Sequence, residues 1–301
     1  MTLSEILKQT QTELLGKLKT LLIEKGYEMF VTDRYLFAKG TIPVMLIAHL
    51  DTVHKTPPKE LFYDKKKDVL WSPDGIGGDD RCGVYAILTI IEKGYRPYIL
   101  FTTDEEKGCL GAKDFTEEYL FDLKKELKYM VEIDRRGDKQ AVFYSCGNKE
   151  FQEYILSFGF TEFYGSCSDI STLSPKYDIA SVNLSAGYYN EHTLQEYIKL
   201  GHLLHTVKLL ETLILDIENS KFYDYQKKTY VYNYSDYNTG SKKDDKKDDK
   251  KKDTVASKYE QDIDDSLYWQ MYADWYNLSA EEWKKTYNFE KPPTAEEVWD
   301  W

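Results

Sequence analysis

Between Leu3 and Lys25 apolar residues return every three or four positions, at Leu7, Leu14, Leu15, Leu18, Leu21 and Leu22, and Gly26 follows. That period lays one apolar stripe along a helix and the glycine ends it, so a single helix is predicted over about 3–25. Three later runs, Pro43–Ala48, Tyr98–Thr102 and Tyr129–Ile133, are short and apolar without alternation, as strands covered on both faces are. Helix-like stretches separate them at Gly83–Lys93 and Ala112–Glu126. Beyond them the pattern predicts a helix over Lys149–Phe158, a strand over Ile179–Leu184, and a long closing helix from His192 or Thr193 to about Ile217. Strands and helices taking turns predict an α/β fold, a three-layer sandwich with a mainly parallel central sheet.

The pattern changes near residue 218. Six tyrosines fall between Tyr223 and Tyr237, and Tyr230-Val-Tyr-Asn-Tyr234 alternates as an extended strand does. Next, Lys242–Asp253 holds seven Lys and five Asp, a block that cannot bury apolar surface and reads as a solvated linker. Five of the six tryptophans then fall in the last 33 residues. There Ser279-Ala-Glu-Glu282 and Thr294-Ala-Glu-Glu297 have capping-box spacing, so short helices carrying Trp283 and Trp299 are predicted. The expected organisation is a catalytic domain over 1–217, a Tyr-rich and Lys/Asp-rich linker over 218–255, and a Trp-rich helical segment over 256–301. The segment's aromatic residues are expected to fold back on the domain or to anchor a partner or a second copy.

Composition narrows the function. The 301 residues carry 40 Lys plus Arg against 52 Asp plus Glu, a formal charge of −12, which argues against nucleic acid as a partner. No apolar run approaches a membrane span and the N-terminus lacks a signal-like pattern, so a cytoplasmic protein without membrane contact is expected. Cys82, Cys109, Cys146 and Cys167 form no Cys-x-x-Cys pair, which leaves any metal to histidine and carboxylate.

Such residues stand where an α/β sheet binds ligands, just beyond the carboxyl ends of its strands. Pro43–Ala48 is followed by His49-Leu-Asp51, Tyr98–Thr103 by Asp104-Glu105-Glu106, and Tyr129–Ile133 by Asp134. Asp79-Asp80 lies in the loop between, and His192 precedes the last helix. Singly, each is an ordinary turn, cap or surface residue. Together they bring several anions to one side of one sheet, where mutual repulsion calls for cations.

In Ala48-His-Leu-Asp-Thr52, Gly78-Asp-Asp-Arg-Cys-Gly83 and Thr103-Asp-Glu-Glu-Lys-Gly108 the chain resembles the co-catalytic zinc exopeptidases, the superfamily of peptidase T, aminoacylase and related aminopeptidases. The resemblance covers roughly residues 43 to 210. It implies the phosphorylase/hydrolase-like exopeptidase fold and two divalent metal ions, zinc by family habit, with cobalt or manganese also compatible with nitrogen and oxygen ligands. It further implies His49 and Asp134 on one metal, Glu106 and His192 on the other, and Asp79 bridging, with Asp80 and Glu132 as rivals to Asp79 and Asp134. Glu105 takes the place of the general base, and Asp51 that of the acceptor orienting His49.

The implied activity is amide hydrolysis by an aminopeptidase or dipeptidase acting on peptides. The alternatives are a deacylase or desuccinylase of N-acyl amino acids, or an inactive hydrolase fold whose tail binds a partner. One departure stands out: only 57 residues separate Asp134 from His192, too few for the lid domain that peptidase T and aminoacylase insert there. Candidates for the substrate pocket are Arg135, Arg136, Ser168, Asp169, Tyr188, Tyr189 and Asn190. His54 is expected to be a loop residue without a partner, and His202 and His205 packing or surface residues.

Overall fold

The computed structural model describes residues 1–117 and 122–228. The expectations for the rest of the tyrosine-rich stretch, for the Lys/Asp block and for the Trp-rich segment lie outside these residues.

The first apolar stripe folds as two helices, α1 (Leu3–Leu7) and α2 (Gln11–Glu24), where one was predicted. Thr10 causes the break. Its side chain accepts the N–H of Glu13 at 3.3 Å and the Glu13 carboxylate accepts the N–H of Thr10 at 2.9 Å, a capping box that starts a new helix. Both helices keep the same stripe buried, through Leu3, Ile6, Leu7, Leu14, Leu18 and Leu22. Thr10→Ala is expected to cost about 1 kcal/mol, read as a lowered urea midpoint with unchanged slope.

The following strands are β1 (Glu28–Val31), β2 (Tyr35–Lys39), β3 (Ile42–His49), β4 (Phe62–Asp64) and β5 (Val69–Trp71). After α3 (Gly78–Glu92) come β6 (Pro97–Thr102), α4 (Leu110–Glu117), α5 (Leu123–Glu126), β7 (Tyr129–Arg135), β8 (Gln140–Val142), α6 (Lys149–Leu156) and β9 (Thr161–Phe163). The remainder is α7 (Asp169–Tyr177), β10 (Ser181–Ser185), β11 (Tyr188–Tyr189), β12 (Tyr197–Ile198) and α8 (Leu200–Leu215). Eight strands form the main sheet in the order β1-β2-β6-β3-β7-β10-β8-β9, and its centre, β6-β3-β7-β10, is parallel. A second, antiparallel sheet has the order β11-β12-β5-β4.

Alternate residues of the central strands feed two cores. Val44, Leu46, Ala48, Ile99, Phe101 and Val131 pack with α1, α2, α3 and α8 on one face. Met45, Ile47, Leu100 and Met130 pack with Ala112, Phe115, Ile170 and Leu173 of α4 and α7 on the other. Helix layers on both faces explain why these strands read as unbroken apolar runs. Residues 218–228 join this packing: Tyr223 is buried, its ring centroid 5.3 Å from Phe151 and 5.7 Å from Tyr154. Among the described residues no helix is long and apolar enough to cross a membrane.

The closing helix starts at Leu200, not at His192 or Thr193 as predicted. Residues 190–199 are instead a loop and β12, which pairs with β5 and β11. Tertiary contacts of this segment, described below, hold it out of the helix.

Candidate metal centre

Three parallel strands end side by side and deliver the donors. His49 is the last residue of β3, Asp134 lies one short of the end of β7, and Glu105 and Glu106 follow β6 in the turn before α4. Asp79 sits in the first turn of α3, where the Asp79–Asp80 peptide bond is cis and neither residue has helical dihedrals. The helix crosses so close to β7 that a Cβ at Gly83 would lie 2.2 Å from the carbonyl oxygen of Ile133; only glycine fits. His192 comes from the loop after β11 and holds a left-handed conformation, φ 63°.

These side chains make two groups that share Asp79. In the first, His49 Nε2 lies 3.0 Å from Asp79 Oδ1 and 3.5 Å from Asp134 Oδ1. In the second, His192 Nε2 lies 3.3 Å from Asp79 Oδ2 and 3.1 Å from Glu106 Oε2. The first group is sealed, with His49 only 1% exposed, and the second is open, with the His192 side chain 54% exposed. Asp51 faces His49 Nδ1 at 3.3 Å, within ion-pair reach but without hydrogen-bond geometry. Its two oxygens also accept the N–H groups of Glu105 and Glu106, at 3.0 and 3.1 Å.

The donor set suits divalent cations. Each group offers one imidazole nitrogen and two carboxylate oxygens, all within 4.8 Å of one another, the nitrogen and oxygen mixture that zinc accepts. Among the described residues no Lys or Arg pairs with Asp79, Glu106 or Asp134; their ion-pair partners are the two histidines. Glu106 Oε1 is buried without a hydrogen bond. Burial, then the Asp79 charge, lifts Glu106 and Asp134 to about 7. Burial would raise Asp79 too, but its hydrogen bonds with His192 and His49 outweigh it and hold the carboxyl low. His192 rises to about 9 through its bond to Asp79, and His49 rises because the Asp134 charge and its bonded carboxylates outweigh burial. Without a metal, then, protons perform the neutralisation.

The rivals face elsewhere. Asp80 is fully buried and accepts the N–H groups of His49 at 3.3 Å and Gly83 at 3.0 Å. Glu132 takes the Ser168 hydroxyl and the N–H of Asp169. Glu105 stands beside a third cluster, with Cys109 Sγ donating to its Oε1 at 3.4 Å and Asp169 close by. Asp169 is fully buried and bonded to Thr102, which removes it from the substrate pocket. Arg135 donates to Gln140 and Arg136 to Glu191, so both guanidinium groups serve neighbouring side chains. Tyr188 donates to Asp134 Oδ1 at 3.0 Å, Tyr189 meets His202, and Asn190 reaches the carbonyl of Gln195. His205 pairs with Asp138 at 2.6 Å.

His54 was expected to lack a partner; its Nε2 lies 3.0 Å from the buried Glu196. Glu196 itself escapes sequence reasoning, because a glutamate four residues past a loop histidine looks like solvated surface. A cavity of about 370 Å³ lies on this side, lined by Asp51, His54, Gly77, Arg81 and Lys107 among others. No member of the two donor groups lines it, so their open side is the one at His192.

Residues 36–158 match the model of peptidase family M28. That stretch is similar to a family of peptidases. Solved structures agree in fold. Aminopeptidase PepT from Bacillus cereus ATCC 10987 is 16% identical, with a TM-score of 0.56 over 72% of this chain and 97% of that one. A tripeptidase from Staphylococcus aureus subsp. aureus Mu50 is also 16% identical, with a TM-score of 0.58 over 73% and 97% of the two chains. The TET1 peptidase of Pyrococcus horikoshii is 15% identical, with a TM-score of 0.50 over 71% and 99%. At such identities the likeness is one of fold. No curated protein matches the sequence.

Proposed function

We propose that this protein is a two-zinc exopeptidase, an aminopeptidase or dipeptidase, with His49, Asp79 and Asp134 holding one ion and Asp79, Glu106 and His192 the other. The observation that best supports this is the carboxylate of Asp79, with one oxygen toward each histidine. When bound, such a pair of ions polarises the scissile carbonyl and acidifies water.

The chain's own residues divide the remaining work. Glu105 is the proton carrier: it takes a proton from the attacking water and returns it to the leaving amine. Its pKa is raised, first by burial, which moves a carboxyl toward the range where it both accepts and donates near neutrality. The Cys109 thiol, donating to Oε1, fixes the direction of that carboxylate. Asp51 opposite His49 Nδ1 favours the tautomer with its proton there, leaving Nε2 free to ligate. Tyr188 steadies Asp134 by donating its hydroxyl to Oδ1.

The stretch between Asp134 and His192 consists of β8, α6, β9, α7, β10 and β11, strands and helices of the sandwich and its small second sheet with no inserted domain. Recognition of a small peptide therefore falls to residues around the open His192 side, as suits an enzyme that removes terminal residues.

Freshly purified protein is expected to hold close to two zinc ions per chain. Chelation should abolish hydrolysis of an aminoacyl amide and added zinc should restore it. Because protons occupy the metal-free donors, zinc affinity should be weaker near about pH 6 than near about pH 8. Metal-free protein with full activity would overturn the reading, and turnover of N-acyl amino acids alone would replace it with a deacylase.

A further inference from the structure

The roles proposed above use neither Glu196 nor His54. Glu196 is 1% exposed and lies in the loop that leads from His192 to β12. Its Oε1 accepts the N–H of Asp79 at 2.9 Å, its Oε2 accepts the N–H of Gly77 at 3.0 Å, and His54 Nε2 stands 3.0 Å from Oε2. Donors from two loops, both more than a hundred residues away in sequence, thus converge on one buried carboxylate. The glycines of the 75–78 loop make this approach possible. A Cβ on Gly75 would lie 2.3 Å from the His54 ring, and one on Gly78 would lie 3.3 Å from Glu196 Oε1 and 2.8 Å from the Cβ of Tyr188.

A neutral side chain could accept backbone bonds at lower cost. A carboxylate here adds a buried negative charge next to Asp79, in a region already crowded with acids, which folding alone does not favour. The excess charge is offset once cations occupy the neighbouring groups. Glu196 also lies four residues after His192, so the segment that supplies one donor anchors the backbone of another.

We infer that Glu196, supported by His54, is a positioning residue that fixes the Gly77–Asp79 backbone so that the Asp79 carboxylate stands between His49 and His192. The inference rests on the bridging role proposed for Asp79. Residues that orient metal ligands typically carry about 10–100-fold in metal affinity or activity.

Zinc titration of Glu196→Gln and His54→Gln, with Asp79→Asn alongside, tests it. In Glu196→Gln the side chain keeps its size and one acceptor but turns an amide N–H toward one of the backbone donors. Zinc affinity should fall about 10-fold or more in Glu196→Gln and by less in His54→Gln. At low zinc kcat should drop with KM nearly constant, and saturating zinc should recover it, which a purely structural lesion would not allow. Both variants should unfold near the wild-type temperature when metal-free; if Glu196→Gln does not fold, His54→Gln decides. Wild-type zinc affinity in the folded variants, with Asp79→Asn empty, would overturn the positioning role alone. Two zinc ions retained by Asp79→Asn would instead overturn the bridging role.

Discussion

Glu105→Ala should reduce kcat by about 10²–10⁴-fold, the usual share of a general acid–base residue, while the protein still holds two zinc ions. The separation of these effects follows from geometry. The Glu105 carboxylate groups with Cys109 and Asp169, whereas Glu106, its neighbour in sequence, groups with Asp79 and His192. Removing the first side chain therefore takes away a proton carrier and leaves every proposed ligand in place. The backbone N–H of residue 105 still reaches Asp51, so the strand end should keep its shape. Elemental analysis with single-turnover kinetics checks both halves. Unchanged turnover would remove Glu105 from the role of base, and loss of metal would make it a ligand.

Asp79→Asn should empty both metal positions and bring activity to background. Each group has three donors and Asp79 is common to both, so one substitution deprives each of a third of its set and removes the charge that stands between the two histidines. The amide retains one acceptor oxygen but carries no charge, and its nitrogen would face an imidazole. Substitution of Asp134 or Glu106 touches a single group and should leave the other ion better held. Zinc content by elemental analysis, with far-UV circular dichroism to show that the chain is folded, reads the result. A folded Asp79→Asn protein with both ions would end the bridging assignment.

The parallel centre of the sheet was legible because helices cover both of its faces and leave its strands as apolar runs. Its edges were not: β1 is half-exposed, four residues long and gains its partner from β2, a contact that no local pattern announces. The two-helix start was written in Thr10-x-x-Glu13, but the continuous leucine stripe overrode a capping box of equal weight. In the site, the donors that follow strands could be named from sequence, because strand ends in a parallel sheet converge. His54 and Glu196 could not, since their value lies in backbone N–H groups 117 and 119 residues from Glu196, and backbone groups have no sequence signature. The same contacts explain the misplaced start of α8: a glutamate that reads as helix-forming is held in a loop by Gly77 and Asp79.

Asp51 gives the sequence motifs a different meaning. One carboxylate faces the ring that ends β3 and also accepts the two N–H groups that begin the turn after β6. His49-x-Asp51 and Glu105-Glu106 are therefore not two motifs on a common scaffold but halves of one joint, whose clearance is set by the length of an aspartate side chain. Inserting or deleting one residue at either strand end would shift that clearance by a full residue rise, roughly 3.3 Å, and no rotamer of Asp51 spans such a gap. The spacing within each motif is thus fixed by its partner as firmly as by the chemistry at its tip.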